Sequence, residues 1–439
     1  MSLVADAKAS LQRALRGAGE GKFRRDVLWN FGSLGALVVS GLALNFVIPG
    51  VYGVATLGVF NLVVAAYIFF SQAAVGGIDR SVLRSVSEHA DDPRRVSGLV
   101  LAAIWPTLLL ASLATTAFFY SRHAISAVLE SPGVAVGIAW ATPGLFCFAI
   151  NKVLLAVTNG MRRMRAFAVL NALRYLLILG GLIFAIATDM PGEQLGFVFS
   201  FAEVILCAVL LVEVGRQLVS PGSLAWLSDS LVHLRFGIKS MASGMLLELN
   251  ARVDVLMLGV FLDDTMVGIY SFAAMLAEGV FQMLVVLQNN YNPLLAKLIA
   301  GKRFDELREL TAKGKRTAFM LMSAVCTVAV LGYPVCVLLV DLIGERPELW
   351  QGWLPFGILM AGVALSSGYA PFHHTLLMAN QPGWHTALMT SIVACNAGFN
   401  LALIPELGIV GAATGTGLAF LSSVVLLRWM VRVRVGVRL

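Results

Sequence analysis

Twelve apolar runs, each about 20 residues long, decide what this chain can fold into. They fall near residues 29–48, 54–77, 97–120, 134–157, 166–188, 195–214, 237–261, 266–291, 317–341, 353–377, 385–404 and 408–428. A run of that length is enough to carry a helix across a bilayer, where every backbone N–H and C=O must be satisfied within the segment. Only 13% of residues are charged and mean hydropathy is +0.83; a soluble domain carries about 25% charged residues. The expected fold class is an all-α polytopic membrane protein.

One stretch departs from a plain anchor. Between Met245 and Lys297, two apolar helices are joined by an acidic turn at Asp263-Asp264. The first holds Glu248, Arg252 and Asp254 inside its apolar run, and the second holds Glu278. Each such charge costs roughly 2.5–3.5 kcal/mol on insertion scales, so it faces a partner or a wet cavity.

The loops set the orientation. Basic residues collect in alternate connections: Lys8 to Arg25, Arg80 to Arg95, Arg162 to Arg165, Arg216 to Lys239, Lys297 to Arg316 and Arg428 to Arg438. The other connections hold Arg122 and Arg346 among carboxylates that include Asp189, Glu193, Asp263, Asp264, Asp341, Glu345, Glu348 and Glu406. Positive loops stay inside, so both termini are expected in the cytoplasm of a multi-pass membrane protein. The alternation requires an even number of spans. It also explains the net charge of +7 without nucleic acid as a partner. No cleavable signal peptide is expected, because the first 28 residues are polar and basic. Residues 3–25 read as a surface helix, with a lipid-facing anchor as the sharper reading. Five cysteines lie in apolar runs without metal-ligand spacing and read as small buried hydrophobes.

The connection 216–236 divides the chain. The expected organisation is a basic segment 1–28, an N-lobe 29–215, a linker 216–236, a C-lobe 237–428 and a basic tail 429–439. The halves are alike at a separation near 210 residues: Leu57-Gly58-Val59-Phe60 answers Val267-Gly268-Ile269-Tyr270, and Leu195-Gly196 answers Leu407-Gly408. Both halves begin on the same side, so they form two six-helix lobes related by a pseudo-twofold axis along the membrane normal, around a central cavity.

The charges at membrane depth carry the chemistry. Lys152 and Arg174 each lie about two turns into their spans from the cytoplasmic side, and Arg252 lies past the middle of span seven. Arg80 sits at the cytoplasmic end of span two. Snorkelling to the headgroups is the bland reading for each, weakest for Arg252. Glu248 and Arg252 share a helix face and can pair; Asp254 points to a nearly opposite face. Structural pairing competes with ion coupling at Glu248, Asp254 and Glu278. Asn396 and Asn400, four apart, could line a sugar-accepting surface or simply bond neighbouring helices. Adjacent His373 and His374 diverge by about 100° on a helix and make a poor chelate, so no metal site is expected. Gly76-Gly77 and Gly180-Gly181 are expected inside spans, permitting close helix packing. No ATP-binding loop or zinc-enzyme motif is present, so the chain is not read as an enzyme.

Several short patterns together resemble a known family. They are Arg252-Val253-Asp254 before an apolar run, Val267-Gly268-Ile269-Tyr270, and Pro293 before a basic loop. Leu57 to Asn61 running on to Gly76-Gly77-Ile78-Asp79-Arg80, and Leu407 to Ala413, fit as well. The chain thereby resembles the polysaccharide transporters, repeat-unit flippases of the multidrug/oligosaccharidyl-lipid/polysaccharide exporter superfamily. The resemblance implies an undecaprenyl-pyrophosphate-linked oligosaccharide as substrate, moved by rocking of two lobes around a V-shaped, water-filled cavity while the lipid tail stays in the membrane lipid. It implies headgroup binding by Arg252, Lys152 and Arg174, with Arg80 at the mouth, and Na+ or H+ as a coupling cation in place of any other cofactor. A polysaccharide polymerase is a partner by analogy, and the protein is expected to act as a monomer. The rival reading is a cation-coupled multidrug exporter of the same superfamily.

Overall fold

The computed structural model describes residues 20–220 and 226–437. Every element longer than a turn is helical among these residues. The spanning helices are α1 (Glu20–Tyr52), α2 (Val54–Val75), α3 (Pro93–Val128), α4 (Pro132–Gly160), α5 (Met164–Ala187) and α6 (Phe197–Gly215). After the linker come α7 (Trp226–Phe261), α8 (Asp264–Ala300), α9 (Phe304–Asp341) and α10 (Trp353–Ser366). The helical stretch Pro382–Val435 then supplies both α11 and α12, because it reverses at Gly408. Thr416 and Asn396 side chains lie 3.5 Å apart, whereas twenty residues of straight helix would separate them by about 30 Å. Gly408 adopts φ 56°, ψ −133°, a backbone region that essentially only glycine occupies.

Ten helical segments among the described residues are long and apolar enough to cross a membrane. The fold adds two crossings to that figure. The Gly408 hairpin counts twice, and α7 spans despite the charges in its run. The outer surface is apolar, with Trp105, Leu331 and Leu342 at 65%, 69% and 83% exposure, as a lipid-facing wall requires.

Two lobes of six helices result. The face where α1 begins and α12 ends is called the terminal face, and the opposite one the far face. The lobes cross at the far face through glycines. A methyl group on Gly58 would come within 1.9 Å of the Asp264 carbonyl oxygen, and one on Gly268 within 2.1 Å of the Val54 carbonyl oxygen. Adding 210 to 54 and 58 gives 264 and 268, so the contact is reciprocal, as a twofold axis between α2 and α8 demands. Inside each lobe small residues seat the same pair of helices: Gly144 on Ser200 between α4 and α6, and Gly362 on Gly417 between α10 and α12.

Local chemistry places the ends. Asp263 caps α8 by accepting from the Thr265 and Met266 amides at 2.9 and 3.0 Å. Asp92 caps α3 in the same way, with Pro93 at the first helical position. Two expectations are corrected. Gly76 and Gly77 do not pack inside a span. Both have positive φ (54° and 68°) and end α2, turning the chain into the amphipathic helix Ile78–Glu88. Nor is span ten continuous: α10 has 14 residues, about 21 Å, and the chain then breaks through Ala370–Phe372 and Thr375–Met378. Ser367, Phe372 and Thr375 are fully buried there. Irregular backbone is tolerable at membrane depth only when protein covers it. The helix of span seven runs back to Trp226, through the second half of the linker. Residues 1–19, which include most of the expected surface helix, lie outside the described residues.

Candidate functional site

The N-lobe holds a charged centre built on α4, α5 and α6. Arg174 Nε lies 2.8 Å from Glu203 Oε1, and the two side chains are 7% and 3% exposed. Asn151 donates to Glu203 Oε2 at 2.7 Å and to its backbone carbonyl at 2.9 Å. The Phe148 ring receives Arg174 at 5.0 Å and Lys152 at 5.6 Å, within cation–π range. The structure thus brings Lys152 and Arg174 to one depth and one ring. Arg174 is matched by Glu203. Lys152 has no ion pair among the described residues, and Asp79, Glu248 and Glu203 are the carboxylates whose charge reaches it. Asp79 lies in the first turn of helix Ile78–Glu88 of the same lobe and Glu248 on α7, so negative charge approaches Lys152 from its own lobe and from α7.

The C-lobe holds a neutral polar cluster around one acid. Asp254 is 8% exposed and accepts from the Tyr270 hydroxyl at 2.6 Å. Tyr270 also bonds to Thr416, whose hydroxyl lies 3.5 Å from Asn396 Oδ1. Asn400 donates to the same Oδ1 at 3.1 Å. The Asn400 side-chain oxygen is buried without a partner. Gly415 makes room for it, since a methyl there would stand 2.4 Å away. Asn396 and Asn400 are 4% and 0% exposed; both stand on α11 and turn toward Gly415 and Thr416 of α12.

This geometry divides the charges of α7. Asp254 turns into its own lobe, while Glu248 is half-buried on the side that reaches Lys152. Glu248 and Arg252 form no ion pair among the described residues, and Arg252 Nε is buried without a hydrogen-bond partner. Glu278 is exposed on α8, and Arg80 is exposed in the first turn of helix Ile78–Glu88. Sequence reasoning passed over Glu203's partner Asn151, the shared ring of Phe148 and the Tyr270–Thr416 link. Asn151, a polar residue beside Lys152 in an apolar run, was the available signal.

Contacts between the lobes close the far face. Arg346 donates to the Pro49 and Gly50 carbonyls at the end of α1, at 2.6 and 3.1 Å. Ser131 donates to Asp264 at 2.9 Å. Toward the terminal face, α7 rests on the N-lobe: Arg95 grips Asp229 through two bonds of 2.6 and 2.9 Å, and Ser81 meets His233 at 2.9 Å. Among the described residues, α1 meets the C-lobe, by contrast, through Phe46, Pro49 and Gly50 near its far end.

Two six-helix lobes that meet at the far face, each with its own buried polar centre, define a twelve-helix polytopic membrane fold. The profile of the family described as "Polysaccharide biosynthesis protein" matches residues 28–298, and the chain belongs to that family. Among solved structures it is similar to a multidrug resistance MATE family transporter of the MOP superfamily in its inward-facing conformation. There the identity is 14%, coverage is 94% of each chain and the TM-score is 0.72. The same description in the outward-facing conformation gives 13% identity, coverage of 93% and 94%, and TM-score 0.61. It is also similar to the lipid II flippase MurJ in an inward closed conformation, at 12% identity over 92% of this chain and 87% of that one, TM-score 0.73. No curated protein matches the sequence.

Proposed function

We propose that the chain is a flippase that moves an undecaprenyl-pyrophosphate-linked oligosaccharide from the cytoplasmic to the outer leaflet, for assembly of a bacterial surface polysaccharide. The observation that carries this reading is the pair of cations without an ion-pair partner among the described residues, Lys152 on the Phe148 ring and Arg252 with a buried, unbonded Nε. A diphosphate supplies the counter-charge that the protein leaves out: the Arg fork fits phosphate oxygens and Lys adds a point charge. Arg174, held by Glu203, fixes the Phe148 ring beneath Lys152. Arg80 stands at the terminal mouth, which the positive loops assign to the cytoplasm. The side between α1 and α8 lets the lipid tail remain in the bilayer while the headgroup enters.

Asp254 couples the cycle to a cation, Na+ or H+, with the Asn400 oxygen, Asn396 and Thr416 as further oxygens nearby. Oxygen donors of this kind suit a hard cation. The protein works as a monomer and hands its product to a polymerase.

The test uses cells lacking the gene. Loss of surface polymer, with the single repeat unit accumulating on its lipid in the cytoplasmic leaflet, supports translocation as the missing step. Complementation with Arg252→Ala or Lys152→Ala is expected to leave the defect in place at normal protein levels. Normal polymer with no accumulated lipid-sugar would overturn the reading and favour multidrug export.

A further inference from the structure

Apart from the inter-lobe charges, a second cationic arrangement lies at the terminal face of the C-lobe. Lys315, near the start of α9's apolar run, places Nζ 5.0 Å from the Tyr369 ring centre. Arg428, near the end of α12, places its guanidinium 5.6 Å from the same ring. Tyr369 itself stands in the break that follows α10. Three segments distant in sequence therefore converge on one aromatic ring, and two of them bring a positive charge. The approach is tight, because a methyl on Gly368 would lie 3.3 Å from the Lys315 carbonyl oxygen.

Among the described residues no carboxylate balances those charges. The acids at the start of α9 are already engaged: Glu306 with Arg303, Asp305 with Arg308 and Glu309 with Lys313. Neither Lys315 nor Arg428 has a carboxylate partner among the described residues, and no described residue bonds the Tyr369 hydroxyl. Two like charges on one ring repel each other. An anion set between them removes the repulsion and accepts from both, and the hydroxyl is a third donor.

The surroundings say where that anion comes from. Val425 and Trp429, beside Arg428 on α12, are 66% and 55% exposed, and Phe319, one turn beyond Lys315, is 44% exposed. These apolar side chains face the bilayer, and an exposed Trp next to Arg marks the headgroup layer. Basic pockets between spanning helices at this depth take phosphate-bearing headgroups. We propose that Lys315, Tyr369 and Arg428 form a binding site for the phosphate of a lipid in the leaflet of the terminal face. This site is separate from Lys152 and Arg252 and does not depend on the flippase reading.

Two lipids carry that chemistry, an anionic phospholipid and a polyprenyl diphosphate. The experiment is native mass spectrometry of the full chain in detergent, titrated with phosphatidylglycerol, with undecaprenyl diphosphate, or with zwitterionic phosphatidylcholine. Wild type is expected to retain an anionic lipid, and K315Q/R428Q to bind it roughly thirtyfold more weakly, about fivefold for each cation. The control R316Q/R432Q removes equal charge from exposed neighbouring positions and is expected to retain it. Dependence on the pair for phosphatidylglycerol alone assigns the site to membrane phospholipid. Dependence for undecaprenyl diphosphate, with displacement of phosphatidylglycerol, assigns it to a lipid-linked substrate waiting to enter. Equal retention by wild type and K315Q/R428Q, or equal loss in the control, overturns the proposal. K315R/R428K, which keeps both charges, guards against a folding defect and is expected to bind within about threefold of wild type.

Discussion

The Arg174–Glu203 pair offers the sharpest test of how this lobe is held together. Glu203→Gln leaves Arg174 in a site only 7% exposed with its charge unmatched. Removing one member of a buried ion pair costs about 3–5 kcal/mol, because the survivor keeps its desolvation penalty and loses its partner. Arg174→Gln is expected to cost a similar amount, since Asn151 alone then faces the Glu203 carboxylate. The double variant R174Q/E203Q places two neutral amides beside Asn151. It is expected to recover most of the loss, because neutral replacements of a buried pair are often close to neutral in stability. The assay is thermal unfolding of purified protein in detergent, run as a double-mutant cycle, with polysaccharide export measured for each variant. Strong coupling between the two positions marks a structural pair. R174Q that melts like wild type and yet abolishes export would refute this reasoning and hand Arg174 directly to the substrate.

Other outcomes follow from the inter-lobe contacts. Gly58→Leu or Gly268→Leu drives a side chain into the opposing backbone and is expected to hold the far face open, read as faster labelling of a cysteine there by a membrane-impermeant thiol reagent. Arg346→Ala removes two charge-assisted bonds to the end of α1, each worth about 1.5–3 kcal/mol, and should shift the same labelling in the same direction by about tenfold or more. Gly408→Ala forces a Cβ into a region that costs of order 1–3 kcal/mol, and reduced thermal stability in detergent checks it. Asp254→Asn is expected to abolish dependence of transport on the driving cation while leaving substrate binding intact, measured with ion gradients imposed on proteoliposomes.

The fold was legible because bilayer physics is written in composition. Length and apolarity marked the crossings, loop charges fixed their parity, and the Gly58 and Gly268 patterns already stood 210 residues apart. What escaped was local and tertiary. The break after α10 did carry a polar mark, His373-His374 beside Pro371, but the apolar residues on both sides of it read as one continuous span. Gly76-Gly77 reads equally well as a packing surface or a turn until φ is known. At the candidate site, charge position along a helix gave depth, and the structure sets Lys152 and Arg174 over one ring. Their different situations came from Glu203 on α6, which no pattern within α4 or α5 could announce. Likewise Asp254 and Glu248 were separable as faces of α7, but only the neighbour Tyr270 decided which face turned inward.

The reciprocal seat of Gly58 and Gly268 has a mechanical consequence. Backbones in direct contact at the far end of α2 and α8 act as a fulcrum. From Gly58 to Gly76, α2 extends roughly 27 Å toward the terminal face. A tilt of about 10° at that fulcrum sweeps the other end of the lever by about 5 Å, close to one helical turn. Small rotations there become large apertures at the opposite face, and the leverage is written into two hydrogens where any other residue would have a carbon.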